Sequence, residues 1–229
     1  MYGVYVSTAA SRIRLDREKV IASAIELADA GGLDGLSMRR LADSLGVTPM
    51  ALYKHVAGRE QLIDGMVEGV VARIEAAPRG VPWRDAVRAR ILSARSLMQR
   101  HPWAQTAIET RTTAGPAVLG YMDDLMSLMF EGGLSADLVH HAMHALSVRM
   151  WGFTREVLPT PELPADLAER ADALTACAAR YPAIVRMATT APRAGETCDS
   201  DEEFAFALDI LLDAFERLDA AGWASDAAR

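Results

Sequence analysis

From residue 15 onward the apolar positions recur at spacings of three and four, the period of a helix with one buried face. Asp16 stands as an N-cap before Val20, Ile21, Ala24, Leu27 and Ala28, the stripe of a first helix. Ser37 caps a short second helix that puts Leu41, Ala42 and Leu45 on one side. Gly46 sits where that helix must stop, and glycine adopts the left-handed backbone such a stop needs. Thr48 then caps a third helix with Pro49 in its first turn, where the missing N–H is no loss. Leu52 turns inward with Val47 and Val56, leaving Pro49, Met50, Tyr53 and Lys54 on the outer face. A fourth helix is predicted from Arg59 to Ile74, with Leu62, Met66, Val70 and Ile74 in register; Pro78, Gly80 and Pro82 end it.

Six further helices are predicted near 83–100, 102–111, 116–131, 135–157, 165–188 and 201–221. The stretch 135–157 would run roughly 33 Å at 1.5 Å per residue. Pro159, Pro161 and Pro164 break the chain after it, and 189–200 reads as a polar loop. The last helix spaces Phe204, Leu208, Leu211, Phe215 and Leu218 on one face, with Phe206, Ile210 and Leu212 beside them. A face that broad packs on more than its own domain. No strand pattern or internal repeat interrupts the series, so the fold class is all-α. Three parts are expected: a flexible basic tail at 1–14, a helix-turn-helix domain at 15–58, and a larger helical domain at 59–229.

Charge sharpens the reading of the second and third helices. The chain carries −7 overall, which argues against a generic nucleic-acid binder. Residues 37–59 nevertheless hold Arg39, Arg40, Lys54 and Arg59 against Asp43, so this segment is +3 and the rest −10. A small positive face on an acidic body directs DNA to one end. Two short helices joined at a glycine, with a polar outer face, fit a major groove.

The stretch LDREKVIASAIELADAGGLDGLSMRRLADSLGVTPMALYKHVAGREQLID (15–64) resembles the DNA-binding domain of the TetR family of bacterial transcription regulators. The marks are AGGLDGLSMRRLA, the turn LGV, and LYKHV followed by REQLID. Further on, RHPWAQTAIETRTTAGPAVLGYMDDL is similar to the subgroup nearest the tetracycline repressor. The resemblance implies base contacts from Arg39, Met50, Ala51 and Tyr53. It implies phosphate contacts from Thr48, Lys54, His55 and Arg59, with the first amides of the fourth helix. Arg39 can donate two hydrogen bonds to guanine, and Met50 and Ala51 can touch a thymine methyl. Tyr53 fits a base or a phosphate equally. Arg40 reads as a solvated or ion-paired surface residue. Where many members have Lys, this chain has Arg59, and Gly58 replaces a side-chain cap. Met50 departs from the tetracycline repressor, so that protein's operator does not carry over.

The body supplies the candidates for a ligand. Met98, Met122, Met126, Met129, Met143 and Met150 make its middle rich in methionine, which serves either as core filler or as the wall of a plastic apolar pocket. Tyr121, Met126, His141, His144, Ser147 and Trp151 are the pocket candidates. Arg90 aligns with a polar ligand-contacting position of the tetracycline repressor, and an ion pair with Asp85 explains it equally well. In that repressor a histidine supports the drug's magnesium ion; the matching position is Ile108, which argues against a metal-chelated tetracycline. His140, His141 and His144 have spacings that can share a metal ion, but no Cys or carboxylate joins them at a matching spacing. No metal or cofactor is expected.

Catalytic signatures are missing: there is no G-x-S-x-G, no H-E-x-x-H and no phosphate-cradling glycine loop after a strand. Asp123 and Asp124 are neighbours on a helix, so their side chains diverge. Cys177 and Cys198 do not make a disulfide framework, and a reducing interior suits them. No apolar run approaches 18 residues and no charged leader precedes an apolar segment, so a soluble, cytoplasmic protein is expected. The function that follows is a ligand-responsive regulator, a repressor that binds a palindromic operator as a homodimer and is released by a small apolar molecule. The resemblance also puts pairing in the helices near 135–157 and 201–221. The alternatives are a ligand-dependent activator or corepressor-type regulator, and a helical ligand-binding protein that no longer reads DNA.

Overall fold

The computed structural model describes residues 15–153, 166–190 and 199–225. The expected tail at 1–14, the three prolines at 159–164, Cys198 and most of the 189–200 loop lie outside them. Every regular element among the described residues is helical. The chain divides into two compact units, one of residues 1–153 and 211–229 and one of residues 154–210.

In the first unit, α1 (Arg17–Gly35) begins at Asp16, whose carboxylate accepts the Lys19 amide at 2.8 Å. That bond holds the Asp16 carboxyl below its ordinary pKa. α1 bends at Gly32, where φ is +66°. Ser37 caps α2 (Met38–Ser44) by accepting from the Arg40 amide, and Gly46 makes the turn at φ +65°. α3 (Pro49–Leu52) is only one turn long; Thr48 holds the N-cap position but makes no side-chain cap bond. α4 (Arg59–Val71) follows, ending three residues before the predicted Ile74. Val20, Ala24, Leu41, Leu52, Val56, Leu62 and Met66 form the buried centre of this head. Gly65 lets α4 press on α1, since a Cβ there would run into Ile21.

The body of this unit contains α5 (Trp83–Arg100), α6 (Trp103–Glu109), α7 (Pro116–Glu131) and α8 (Ala136–Leu146). Val87, Ile91, Ala94, Leu97, Leu125, Met129 and Leu138 are its buried apolar centre. The single helix predicted over 135–157 stops at Leu146. Ser147 takes φ +33°, and a 3-10 turn carries the chain from Ser147 to Trp151. Distant partners explain the break: Tyr121 donates its hydroxyl to the Met150 carbonyl, and Arg95 donates to the Gly152 carbonyl at 2.8 Å. Gly152 lies so close to the Arg95 backbone that no side chain fits, and its φ is +81°.

The second unit holds α9 (Leu167–Arg180) and α10 (Pro182–Thr190), where one helix was predicted over 165–188. Pro182 has no N–H to donate and starts the second helix instead. α11 (Ser200–Ala220) runs from this unit into residues of the first. It buries Phe204, Leu208, Leu212 and Phe215, while Phe206 and Ile210 stay exposed.

Candidate nucleic-acid interface and ligand cavity

The outer face of the head takes shape because the inner face of the same short helices is fully used. Leu41, Ala42 and Leu52 are sealed, so the residues between them point away. Met50 is 72% exposed and Tyr53 46% exposed on this outer face. Arg39, Thr48 and Lys54 are exposed beside them, with Ala51 and His55 half-buried. Arg40 is turned back instead, donating to the Gly35 carbonyl at 2.9 Å. Arg59 donates one arm to the Leu33 carbonyl at 2.9 Å, which anchors it at the edge of this face. α4 starts without a side-chain cap, and orphan amides of a first turn are anion donors.

A cavity of about 540 Å³ opens between α6, α7, α8 and the 3-10 turn. Ile108, Met126, His144, Ser147 and Trp151, all predicted, are on its wall. Of the six methionines, Met122, Met126, Met143 and Met150 line it, while Met98 and Met129 are buried in the packed centre. Three predicted residues lie off this wall. Arg90 is buried and donates to the Ile74 carbonyl at 2.8 Å, to the Glu75 carbonyl, and to Asp124 at 2.6 Å; its ion-pair partner is Asp124, not Asp85. Tyr121 stacks behind Trp151 with ring centroids 4.9 Å apart, and burial pushes its phenol pKa up. His141 faces outward, edge-on to Trp223 at 5.2 Å and 3.6 Å from Asp137.

His140 replaces His141 on the wall. His140 and His144 are one turn apart and therefore share a face, their rings 4.7 Å apart. Glu109, Phe130, Val139 and Phe153 also line the cavity and were not singled out from sequence. The i, i+4 rule could have found His140. No local signal marks Glu109 or Phe153. Among the described residues no cluster of three His, Cys, Asp or Glu side chains is placed to hold a metal.

The cavity reaches the head through the connection between α6 and α7. Ile108 and Trp151 line both the large cavity and a smaller one, of about 290 Å³, whose other wall is Val67 of α4 and residues 111–114. Two carboxylates one turn apart on α4 grip this connection. Asp64 pairs with Arg111, and Glu68 accepts the Ala117 amide at 2.7 Å, capping α7. At the other end of α6, Asp29 of α1 accepts from the Trp103 indole at 2.7 Å and bonds His101 at 2.8 Å. α6 is thus fastened to the head at both ends while its last turn faces the cavity.

A helix-turn-helix face and a lined cavity, joined through one short helix, define a DNA-binding regulator that responds to a ligand. Residues 20–66 match the family "Bacterial regulatory proteins, tetR family", and residues 77–218 match "Tetracyclin repressor-like, C-terminal domain". The chain belongs to the TetR family of transcription regulators, and it is a regulator rather than an enzyme. It is 31% identical to the HTH-type transcriptional repressor DrrR1 of Streptomyces coeruleorubidus, covering 89% of this chain and 78% of that one. It is 32% identical to the class C tetracycline repressor protein of Escherichia coli over 76% of this chain and 80% of that one. The Streptomyces coelicolor TetR family protein ActR, solved in complex with (S)-DNPA, superposes with a TM-score of 0.64 at 27% identity, covering 88% and 97% of the two chains. Among the described residues no helix is long and apolar enough to cross a membrane.

Proposed function

We propose that the protein is a cytoplasmic repressor that binds a palindromic operator as a homodimer and leaves it when a small, largely apolar molecule enters the cavity. The observation that carries this reading is the exposed Met50 and Tyr53 beside Lys54, on helices whose opposite face is sealed. Residues 15–58 would act as the DNA-binding part and 59–229 as the ligand-binding and dimerisation part. Arg39, Met50, Ala51 and Tyr53 would meet base edges; Thr48, Lys54, His55 and Arg59 would hold phosphates. Phe206 and Ile210 on α11 are exposed apolar residues that a second copy, pairing through α8 and α11, would cover. Two-fold symmetry would then place two recognition helices about 34–36 Å apart, in successive major grooves.

Ile108, Met126, His144, Ser147 and Trp151 would contact the ligand, with Tyr121 supporting Trp151 from behind and Arg90 tying α7 to the end of α4. ActR, in the complex with (S)-DNPA, supports a small molecule in this fold. The ligand displaces the operator only if it binds the two states of the protein with different affinity. Displacement of Ile108 or Trp151 would reach α4 through Val67, Asp64 and Glu68. Fluorescence anisotropy with DNA from the protein's own promoter region, at two salt concentrations and against scrambled competitor, tests the first half. Tight, competitor-resistant and salt-sensitive binding is expected. Weak binding that ignores sequence defeats the reading.

A further inference from the structure

Of the 24 lysines and arginines in this chain, only Lys19 and Lys54 are lysine. A lysine amine can be acylated, whereas the permanently charged guanidinium of arginine is not a nucleophile toward the same donors. Acyl transfer to a side-chain amine must therefore fall on one of two positions, and the structure separates them. Lys19 Nζ lies 3.2 Å from Asp16 Oδ2 at the start of α1. Charges cancel around it, since residues 15–19 hold Arg17 and Lys19 against Asp16 and Glu18. Lys54 is exposed on the outer face of the head, and its ammonium makes no ion pair or hydrogen bond among the described residues. It stands in the segment of +3 formed by Arg39, Arg40, Lys54 and Arg59 against Asp43. A surface with this field draws small anions as well as the phosphates of DNA.

Activated acyl groups are carried on such anions, as acyl phosphates and as acyl thioesters of coenzyme A. We infer that Lys54 is an acylation site, modified by anionic activated acyl donors, and that its modification releases DNA. The unprotonated amine attacks the carbonyl carbon of the donor. An N–C bond forms, the C–O or C–S bond breaks, phosphate or thiolate leaves, and the proton lost by nitrogen goes to solvent. A neutral amide then stands where an ammonium stood, so one phosphate contact is lost. Each such contact contributes about 0.9 to the salt slope, which amounts to about fivefold in affinity near 0.15 M salt. The release of DNA rests on Lys54 holding a phosphate, as proposed above; the choice between the two lysines does not.

The test treats the full-length protein at neutral pH with acetyl phosphate, with acetyl-coenzyme A, or with the uncharged N-hydroxysuccinimide ester of acetic acid. Mass spectrometry follows acetylation at each lysine. The exposed ion pair at Lys19 slows its reaction at most about fivefold, and only this advantage favours Lys54 with the uncharged ester. The anions should prefer Lys54 by a wider margin, and added promoter DNA should protect it while Lys19 still reacts. Preference with one anion alone assigns the donor to acyl phosphate or to acyl thioester. Fluorescence anisotropy should then show the salt slope lowered by about one unit per subunit and affinity reduced about fivefold per subunit. Lys19→Arg should lose affinity on treatment as the parent does, and Lys54→Arg should not. Anionic donors that favour Lys19, or that prefer Lys54 no more than the ester does, overturn the assignment. An acetylated Lys54 with unchanged DNA affinity overturns the release. A parent that ignores DNA before any treatment instead overturns the regulator reading from which the release follows.

Discussion

The head and the body of this protein are both packed helices, but different bonds hold them. In the head the caps are local bonds: Asp16 to the Lys19 amide and Ser37 to the Arg40 amide span three residues and Ala57 to Gln61 spans four, beside the longer reach of Arg59 to the Leu33 carbonyl, 26 residues away. In the body the corresponding bonds leap along the chain. Arg90 reaches Asp124 across 34 residues, Tyr121 reaches Met150 across 29, and Arg95 reaches Gly152 across 57. A reading surface can therefore be built from short helices with their own caps, while a cavity needs walls brought in from several elements and pinned there.

The largest effect should come from cutting one of the long bonds. Arg90→Ala removes a buried guanidinium that serves the carbonyls of Ile74 and Glu75 and the carboxylate of Asp124. Its loss leaves the buried Ile74 carbonyl without a donor, which costs about 1–3 kcal/mol, while the largely exposed Asp124 returns to solvent. Urea unfolding followed by circular dichroism measures it. A loss under about 1 kcal/mol would mean the body does not depend on this bond.

The head should respond in binding rather than in stability. Tyr53→Ala should weaken specific operator binding by roughly 1–3 kcal/mol if the ring or hydroxyl reads a base. Lys54→Ala should weaken specific and scrambled DNA alike and lower the salt slope by about one unit. Both side chains are exposed, so unfolding midpoints should barely move. Two variants that bind like the parent would remove the recognition face from this position.

This contrast accounts for what the sequence made legible. Asp16, Ser37, Gly46 and Pro49 act on neighbours within a few residues, so two caps and the turn of the head could be read directly; the cap bond expected of Thr48 is not made. The helix predicted over 135–157 shows the opposite case. Its apolar period continues past Leu146, but the carbonyls of Met150 and Gly152 are claimed by Tyr121 and Arg95, residues no local pattern connects to them. Pro182 was visible and should have divided the helix predicted over 165–188. The cavity was half legible: methionine richness and His144 pointed to it, but Glu109 looks like any exposed helix-end acid until α7 and α8 face it. Arg90 and Tyr121 have chemistry that suits a ligand contact, and in the structure both are buried, with bonds to Asp124 and to the Met150 carbonyl.

A smaller loss should follow from removing a local bond. Ser37→Ala deletes the cap of α2 and leaves the Arg40 amide without its acceptor. N-cap losses of this kind are worth about 1 kcal/mol. Measured in the same urea titration as Arg90→Ala, it should give a clearly smaller shift. Equal shifts would erase the distinction between locally and distantly held regions.

The smallest effect tests a long bond that is only half-buried, where distance in sequence and strength of the bond separate. Asp137, in the first turn of α8, accepts from the Ser225 amide and from its hydroxyl at 2.9 Å, 88 residues away. Those bonds to Ser225 hold its carboxyl below the ordinary value of 3.8. A lowered folded-state pKa contributes stability that is present above the ordinary value and is lost as pH falls through the folded one. Partial exposure screens the contribution, so global unfolding should register it only weakly. Local release of the C-terminal segment is the better readout, because Trp223 lies edge-on to His141 in the same contact. The fluorescence difference between the parent and Trp223→Phe should show a step below about pH 4. In Asp137→Asn that step should be absent, since the amide carries no titrating proton. A step that persists in Asp137→Asn would assign the release to another carboxylate, and the tail would then be held by something other than Asp137.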